Sequence, residues 1–187
     1  MGLIEQTRSS WKETLRVKEE KDLPYVLLTE VLNQSVLRGA TAIEVTYDGR
    51  SISVKDNAAP FEDRLESLLH YSIGMMNEDA VRLYHLADRQ WGARPYAVIN
   101  ALCREFSLVS GSDEGLRSVI CKDGEIVSTS SKKVFIGNHN VVSFQSFVGM
   151  ESIMPGFLRR LLEYIEPLFP QVTIIYNTSV EEEENEW

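Results

Sequence analysis

The segment EVLNQSVLRGATAIEVTYDGRSISVKDNAAPF, residues 30–61, decides the fold of this 187-residue chain. It begins in the second half of an amphipathic helix and continues as two alternating strands, 42–47 and 51–55. An Asp-Gly pair between the strands is typical of a β-hairpin turn. The segment ends in a loop that begins with Asp56. A helix, a hairpin and an acidic loop in this order predict a domain that mixes helices with an antiparallel sheet.

Hydrophobic periodicity in the rest of the chain predicts further helices and hairpins. Together they favour an α+β fold, a two-layer α/β sandwich with a mixed, mostly antiparallel sheet and helices on one face. We divide the chain into a charged N-terminal helix (1–22), one domain (23–178) and an acidic tail (179–187) that we expect to be disordered. The predicted helices cover 3–21, 23–38, parts of 62–88, 95–105 and 152–166, and the further strands cover 106–111, 115–122, 125–129, 141–147 and 171–176.

Composition and charge narrow the classes of protein. The net charge is −9, and the tail supplies five of the 28 acidic residues. The chain therefore lacks the broad basic footprint of a nucleic-acid-binding protein. Its apolar runs fall short of the roughly 20 residues of a membrane helix, and the N-terminus has no signal-peptide core. With only two cysteines, we expect a cytoplasmic protein without a disulfide framework.

The cysteines and histidines show no reactive or metal-binding pattern. Cys103 is expected on the apolar face of a helix and Cys121 in a strand, both as small hydrophobic residues. His70, His85 and His139 have no metal-ligand spacing with one another or with the cysteines. We therefore expect structural or surface roles for these five side chains.

Two polar side chains interrupt the apolar face of the helix in the opening segment. Glu30 and Gln34, four residues apart, project from the middle of that face on a helical wheel. A carboxylate there is costly unless it is paired or reaches solvent or a ligand. Glu30 either lies at a sheet edge, where it caps a backbone group or pairs with an arginine, or it faces a cleft. The apolar face itself consists of Leu23, Val26, Leu27, Val31 and Leu37.

The order of these motifs is similar to that of a known family. The helix carries Glu30 and the amide of Gln34, residues 39–41 lead into a strand, and the returning strand ends at Asp56. This order resembles the N-terminal half of the GHKL ATPases, the superfamily of gyrase B subunits, MutL and histidine kinases. The gyrase B type is the most similar, and the resemblance extends over residues 23–177. Beyond the opening segment, the stretches of this chain that resemble the family are 96–102, 106–110, 140–144, 157–162 and 172–176.

The resemblance implies the GHKL (Bergerat) fold and a role for each matching residue. Asp56 would accept the adenine amino group, and Asn140, at the position of a pocket threonine, would support it. Glu30 would be the catalytic base that orients the attacking water, and Gln34 would bind Mg²⁺. ATP or ADP and Mg²⁺ are thus the implied cofactors. From the residues alone, Asp56 is also compatible with an ordinary Asx-turn.

Several residues depart from the family's pattern around the phosphates. Gln34 is one methylene longer than the usual asparagine, and Mg²⁺ demands near-ideal octahedral geometry. Both glycines of the family's Asp-x-Gly-x-Gly motif are missing from 56–60. In the segment that matches the family's lid motif Gly92 remains, and Arg94 or Arg89 is either a phosphate contact or a surface arginine. These departures favour weak or absent hydrolysis.

The sequence leaves two functions open. The first is an adenine-nucleotide-binding protein that, if active, is a Mg²⁺-dependent ATP hydrolase. The second is a pseudo-ATPase with a collapsed pocket that serves as an interaction scaffold for a protein partner. Residues 1–22 do not resemble the arm through which gyrase dimerises, so a homodimer is possible but unsupported. The chain ends where the gyrase transducer would begin, and we therefore do not expect topoisomerase activity.

Overall fold

The computed structural model describes residues 3–15, 17–61, 64–69, 95–134 and 137–180. The helices in these ranges are α1 (Leu3–Thr14), α2 (Leu23–Leu37), α3 (Leu65–Leu69), α4 (Pro95–Ala101) and α5 (Pro155–Ile165), with short 3₁₀ turns at Glu20–Asp22, Met150–Ser152 and Glu166–Leu168. The strands are β1 (Ala42–Tyr47), β2 (Ile52–Asp56), β3 (Cys103–Ser112), β4 (Gly115–Lys122), β5 (Glu125–Lys132), β6 (His139–Ser146) and β7 (Thr173–Thr178). None of these helices is long and apolar enough to cross a membrane.

The strands form one mixed sheet in the order β5-β4-β3-β6-β2-β1-β7. β1 and β7 run parallel, whereas the other neighbouring pairs are antiparallel. The predicted turn joins β1 to β2, where the Asp48 carboxylate accepts the N–H groups of Arg50 and Ser51 at 2.9 and 2.7 Å. Gly49 has a φ of 87°, which glycine adopts without strain. The α+β fold with a mostly antiparallel sheet is confirmed.

One face of the sheet carries the hydrophobic core. Directly paired residues on neighbouring strands project to the same face, and the buried positions pair with one another in this way. α2 packs against β2 and β6 on this face, and α4 contacts β3. Two buried rows that cross β2, β6 and β3 are Ile52, Phe144 and Phe106, and Val54, Val142 and Leu108.

The N-terminal segment is shorter as a helix, and more buried, than its sequence suggests. α1 ends at Thr14 instead of continuing to residue 21. Trp11, Leu15 and Val17 are buried and belong to the same core cluster as the sheet. The prediction of a surface helix over 3–21 is therefore wrong in its length and in the exposure of this side.

The helix predicted over 95–105 is also too long. α4 ends at Ala101, and Cys103 already begins β3. The expectation of a helical Cys103 is wrong, because β3 pairs along its length with β4 and β6 and this tertiary pairing overrides the local pattern. Cys121 lies in β4 as predicted, and both cysteines are buried and free.

The buried face of α2 is displaced from the predicted one. Leu37 is 70% exposed, whereas Leu28, Leu32 and Ser35 are buried. Glu30 therefore lies at the margin of the buried face, not in its middle. Of the helices predicted within 62–88, α3 is described. Residues 70–94 and residues 181–187 of the predicted tail lie outside the described residues. Val180, at the start of that tail, packs against the core instead of being disordered.

Candidate functional site

A row of three polar residues crosses the buried face of the sheet. Asp56 at the end of β2 pairs directly with Asn140 of β6, which in turn pairs with Ser110 of β3. All three are buried, with 0–1% of their surface exposed. The row lies beside the hydrophobic row that begins with Val54, so the core changes here from apolar to polar. Polar groups this deeply buried need hydrogen-bond partners.

The Asp56 carboxylate has a donor at each of its acceptor positions. Oδ1 accepts the Asn140 side-chain amide at 2.9 Å and the Ala58 N–H at 3.0 Å. Oδ2 accepts the Ser35 hydroxyl at 2.6 Å and Nη2 of Arg38 at 2.8 Å. A carboxylate offers about four lone-pair sites, and these four donors occupy them. The contact with Ala58 is the Asx-turn that the sequence also allowed for Asp56. It accounts for one of the four hydrogen bonds of this carboxylate.

A second chain of hydrogen bonds fixes Asn140. Its Oδ1 accepts the Ser110 hydroxyl at 2.9 Å. Ser110 Oγ in turn accepts the N–H of Phe61 at 3.1 Å, and the Phe61 carbonyl accepts from Arg117. The network therefore orients the Asn140 amide towards Asp56 and anchors Phe61 beside the site.

Arg38, directly after α2, covers the polar row. Besides its bond to Asp56, its Nη1 donates to the Ala59 carbonyl at 3.1 Å. The guanidinium carbon lies 4.0 Å from the ring centroid of Phe61, a cation–π contact. The two side chains of the Arg38–Asp56 ion pair are 18% and 0% exposed. The negative charge of Asp56 is thus balanced from within the protein.

Tyr96 of α4 lies on another side of Phe61. The two rings meet edge to face, with centroids 5.4 Å apart. Burial raises the pKa of the Tyr96 hydroxyl; nearby Arg38 opposes the rise, and the charges of Asp56 and Glu30 add to it. The buried Tyr96 Oη and Arg38 Nε have no hydrogen-bond partner in the described ranges. The two side chains nevertheless interact with each other, because hydrogen bonding from Arg38 also lowers the pKa of Tyr96.

Glu30 and Gln34 lie on one ridge of α2, and Arg38 follows them four residues later, directly after the helix. Gln34 Nε2 donates to Glu30 Oε1 at 2.7 Å. Glu30 is 7% exposed, and burial raises the pKa of its carboxyl, against the opposing effect of the Gln34 and Asn33 amides. Within the described part of the chain no basic side chain forms an ion pair with Glu30. The first alternative for Glu30 included an arginine partner, and the described residues show no such ion pair.

The fit of this site to the implied cofactors is partial. Glu30 and Gln34 offer two neighbouring oxygen groups, and Mg²⁺ in nucleotide sites uses one or two protein carboxylates with phosphate and water. In the described ranges no three His, Cys, Asp or Glu side chains cluster as a metal site. An adenine amino group finds no free lone pair on Asp56 while Arg38 is bound. Gly92 and Arg94, which the sequence suggests for the phosphates, lie outside the described residues.

Five residues of the site were not predicted from the sequence: Ser35, Arg38, Phe61, Tyr96 and Ser110. Ser35 and Arg38 are three residues apart at the end of a helix, a spacing that puts them on one side of it. The role of Ser110 depends on the register between β3 and β6, which the local sequence does not specify.

The fold is similar to that of a solved structure, the ATP-binding domain of topoisomerase IV from Francisella tularensis in complex with a small-molecule inhibitor. The TM-score is 0.62 and the sequence identity 19%, and the match covers 86% of this chain and 47% of that chain. This chain has the fold of a GHKL ATPase domain. The predicted resemblance is confirmed at the level of the GHKL fold. No protein-family model and no curated protein matches the sequence.

This chain spans about half the length of the solved topoisomerase chain, 47% of it. The GHKL fold is typically one that binds ATP with Mg²⁺. At 19% identity the similarity concerns the fold, and the chemistry has to be argued from this chain's own residues.

Proposed function

We propose that this chain binds an adenine nucleotide at the polar row and hydrolyses it weakly or not at all. The observation that carries the proposal is the Asp56 carboxylate, which is buried in a GHKL fold and held by donors from α2, β6 and its own loop. An ionised carboxylate only accepts hydrogen bonds. A fixed, buried acceptor penalises any base that lacks an amino group at that position.

In this proposal each residue of the site has a defined task. Asp56 accepts the adenine amino group, and Asn140 keeps the Asp56 carboxylate in its orientation. Glu30 orients a water molecule for attack, and the side-chain oxygen of Gln34 binds Mg²⁺ together with the phosphates. Gly92 and Arg94 are proposed to contact the phosphates.

Three features support weak or absent hydrolysis. The Gln34 amide donates to Glu30, so the proposed metal ligand and the proposed base are engaged with each other. Burial raises the pKa of Glu30, which reduces the fraction of the ionised form that a base requires. The loop after Asp56 contains Ala58 and Pro60, and the one non-glycine residue of the described ranges with a positive φ is Asp123, in a distant turn. This loop thus lacks the left-handed backbone that glycines give to phosphate cradles.

Calorimetric titration tests the proposal. ATP, ADP and adenosine are each titrated with and without Mg²⁺ into the wild type, Asp56→Asn and Asp123→Asn. The control makes the same chemical change at a turn residue with a φ of 48°, which asparagine tolerates. We expect binding to the wild type and the control, and at least a tenfold loss in Asp56→Asn. Micromolar binding corresponds to about −8 kcal/mol and is readily measured.

Hydrolysis is measured as phosphate release from ATP with Mg²⁺. We expect little or none, and any residual activity should disappear in Glu30→Ala. Fast Mg²⁺-dependent turnover that survives this substitution would contradict the role of Glu30. Equal nucleotide binding by the wild type and Asp56→Asn would contradict the role of Asp56.

The Arg38–Asp56 ion pair favours a second candidate, a pseudo-ATPase that acts as an interaction scaffold. Its base site is closed from within, because Asp56 has four internal donors. Under this candidate no nucleotide raises the melting temperature of the wild type, and Asp56→Asn, once folded, behaves like the wild type in every titration.

A further inference from the structure

On the basis of the proposed function, we propose that Arg38 is an internal ligand of the base site and determines what the site accepts. Its guanidinium occupies the hydrogen-bonding position on Asp56 that an adenine amino group needs. A nucleotide base therefore binds only when the Arg38 side chain leaves.

The contacts of Arg38 are those that a planar base with an amino group would make. Nη2 donates to Asp56 Oδ2 at 2.8 Å, and Nη1 donates to the Ala59 carbonyl at 3.1 Å. The flat guanidinium lies over the Phe61 ring, 4.0 Å from its centroid. One carboxylate, one backbone carbonyl and one aromatic face thus recognise a planar donor, and Arg38 supplies it.

A base and Arg38 cannot occupy the same position on Asp56. Asn140, Ala58 and Ser35 fill the other three acceptor sites of the carboxylate. The first two belong to the sheet and the loop next to Asp56, and the third is buried in α2. Of the four donors, Arg38 has a long side chain that still reaches solvent, and 18% of that side chain is exposed. It is therefore the one of the four that a ligand can displace.

The balance between the two states depends on charge and on unsatisfied atoms. A charge-assisted hydrogen bond is roughly twice as strong as a neutral one, so Asp56 prefers the guanidinium to a neutral amino group. Against this, Arg38 Nε is buried and finds no well-aligned acceptor among the described residues, and it regains water when the side chain moves out. Tyr96 Oη, likewise without a partner in the described ranges, then becomes available to the base. We expect the closed state to dominate and the wild type to bind adenine compounds weakly.

The test compares the wild type with Arg38→Ala, Arg38→Met and Arg160→Ala. Arg38→Met keeps much of the side-chain volume but has no hydrogen-bond donor. It serves as the second variant in case Arg38→Ala does not fold. Arg160→Ala removes an exposed arginine from α5 as the matched control. Circular dichroism establishes folding, and each protein is then titrated with adenosine and with acetamidinium chloride, a small planar cation that copies the donor edge of the guanidinium.

We expect the Arg38 variants to bind adenosine at least tenfold more tightly than the wild type and the control. Acetamidinium should bind Arg38→Ala and raise its melting temperature, with no effect on the wild type. Adding Asp56→Asn to Arg38→Ala should abolish both gains.

The outcomes separate this inference from the proposed function. Measurable adenosine binding to the wild type that is equal in Arg38→Ala, or weaker there, overturns the inference and leaves the adenine site standing. Acetamidinium binding to Arg38→Ala without any adenosine binding supports the internal ligand and overturns the adenine site. A folded Arg38→Ala that binds neither compound overturns both.

Discussion

The buried carboxyl group of Glu30 couples its protonation to the stability of the fold. Burial is the largest effect on its pKa and raises it above the ordinary value, while the Gln34 and Asn33 amides lower it. The folded protein therefore holds this proton more tightly than the unfolded chain does. The free energy of unfolding falls as the pH rises from the unfolded pKa to the folded one. Above that interval the ionised group lowers the free energy of unfolding by the net cost of its burial, which is the desolvation less the effect of the two amides.

Glu30→Gln should be more stable than the wild type at pH 8 and similar to it at pH 4. Glutamine is neutral at both values, and its side chain can still hydrogen-bond with Gln34. Urea unfolding followed by circular dichroism across this range measures the difference. Glu163→Gln on α5, where the side chain is exposed, is the control and should show no such pH dependence. A Glu30→Gln protein that is less stable at pH 8 would contradict this account, because the ionised carboxylate would then be stabilising.

At Asp56, the same kind of burial is compensated by four donors. Asp56→Ala removes the acceptor of the Ser35 hydroxyl and one acceptor each of Asn140 and Arg38. Breaking a buried ion pair typically costs about 3–5 kcal/mol. Because Arg38 retains some solvent contact, we expect a loss near the lower end of that range. A double-mutant cycle with Arg38→Ala should give a coupling of about 1–3 kcal/mol between the two side chains. Additive losses would show that the ion pair contributes nothing beyond its separate parts.

At the scale of helices and strands, the local sequence pattern predicts the centre of each element better than its ends. The α2 helix and the β1–β2 hairpin agree closely with the pattern, because a helix-stopping glycine and an Asp-Gly turn mark their limits. β3 and β6 begin earlier than the pattern indicates, at Cys103 and His139. Their mutual pairing extends them, and a single sequence contains no direct record of such pairing.

Because local sequence predicts the centres of elements better than their ends and pairing, it predicts some parts of the site and not others. Glu30, Gln34 and Asp56 lie in or next to elements with clear local signals, and Asn140 was recognised through its segment. The row that joins Asp56 to Asn140 and Ser110 depends on the register of three strands. The closure of that row by Arg38 depends on the conformation of a side chain, which is a tertiary property.

The cysteines of β3 and β4 provide a test of these two strands. Burial raises the pKa of Cys121 to about 11 and that of Cys103 further still, so both are thiols at neutral pH. Because the thiolate is the reactive form, we expect iodoacetamide to label neither cysteine in the native protein and both in urea. Mass spectrometry of the labelled peptides distinguishes the two sites. Rapid native labelling of Cys103 would show that the start of β3 is open.

At the scale of the whole molecule, the N-terminal segment is part of the hydrophobic core that supports the site. Trp11 and Leu15 are buried with the sheet residues, and Trp11 meets Phe147 edge to face at 5.9 Å. The Arg8 guanidinium donates to the carbonyls of Ala101 and Cys103 at 2.8 and 2.6 Å, where α4 turns into β3. α1 therefore covers the junction between the element that carries Tyr96 and the strand that carries Ser110.

Removing residues 1–22 should consequently destabilise the whole domain, because these residues are part of its core. Truncating a buried tryptophan alone typically costs about 3–5 kcal/mol, a large part of the roughly 5–15 kcal/mol that stabilises a whole domain. We expect the fragment 23–187 to unfold at a much lower temperature than the full chain and to lose its near-ultraviolet circular dichroism. The fragment 1–180, which lacks the five acidic residues of the tail, is the control and should melt like the full chain. A fragment 23–187 that keeps the original melting temperature would instead make residues 1–22 an independent unit, and the support of Tyr96 and Ser110 would then have to come from the sheet alone.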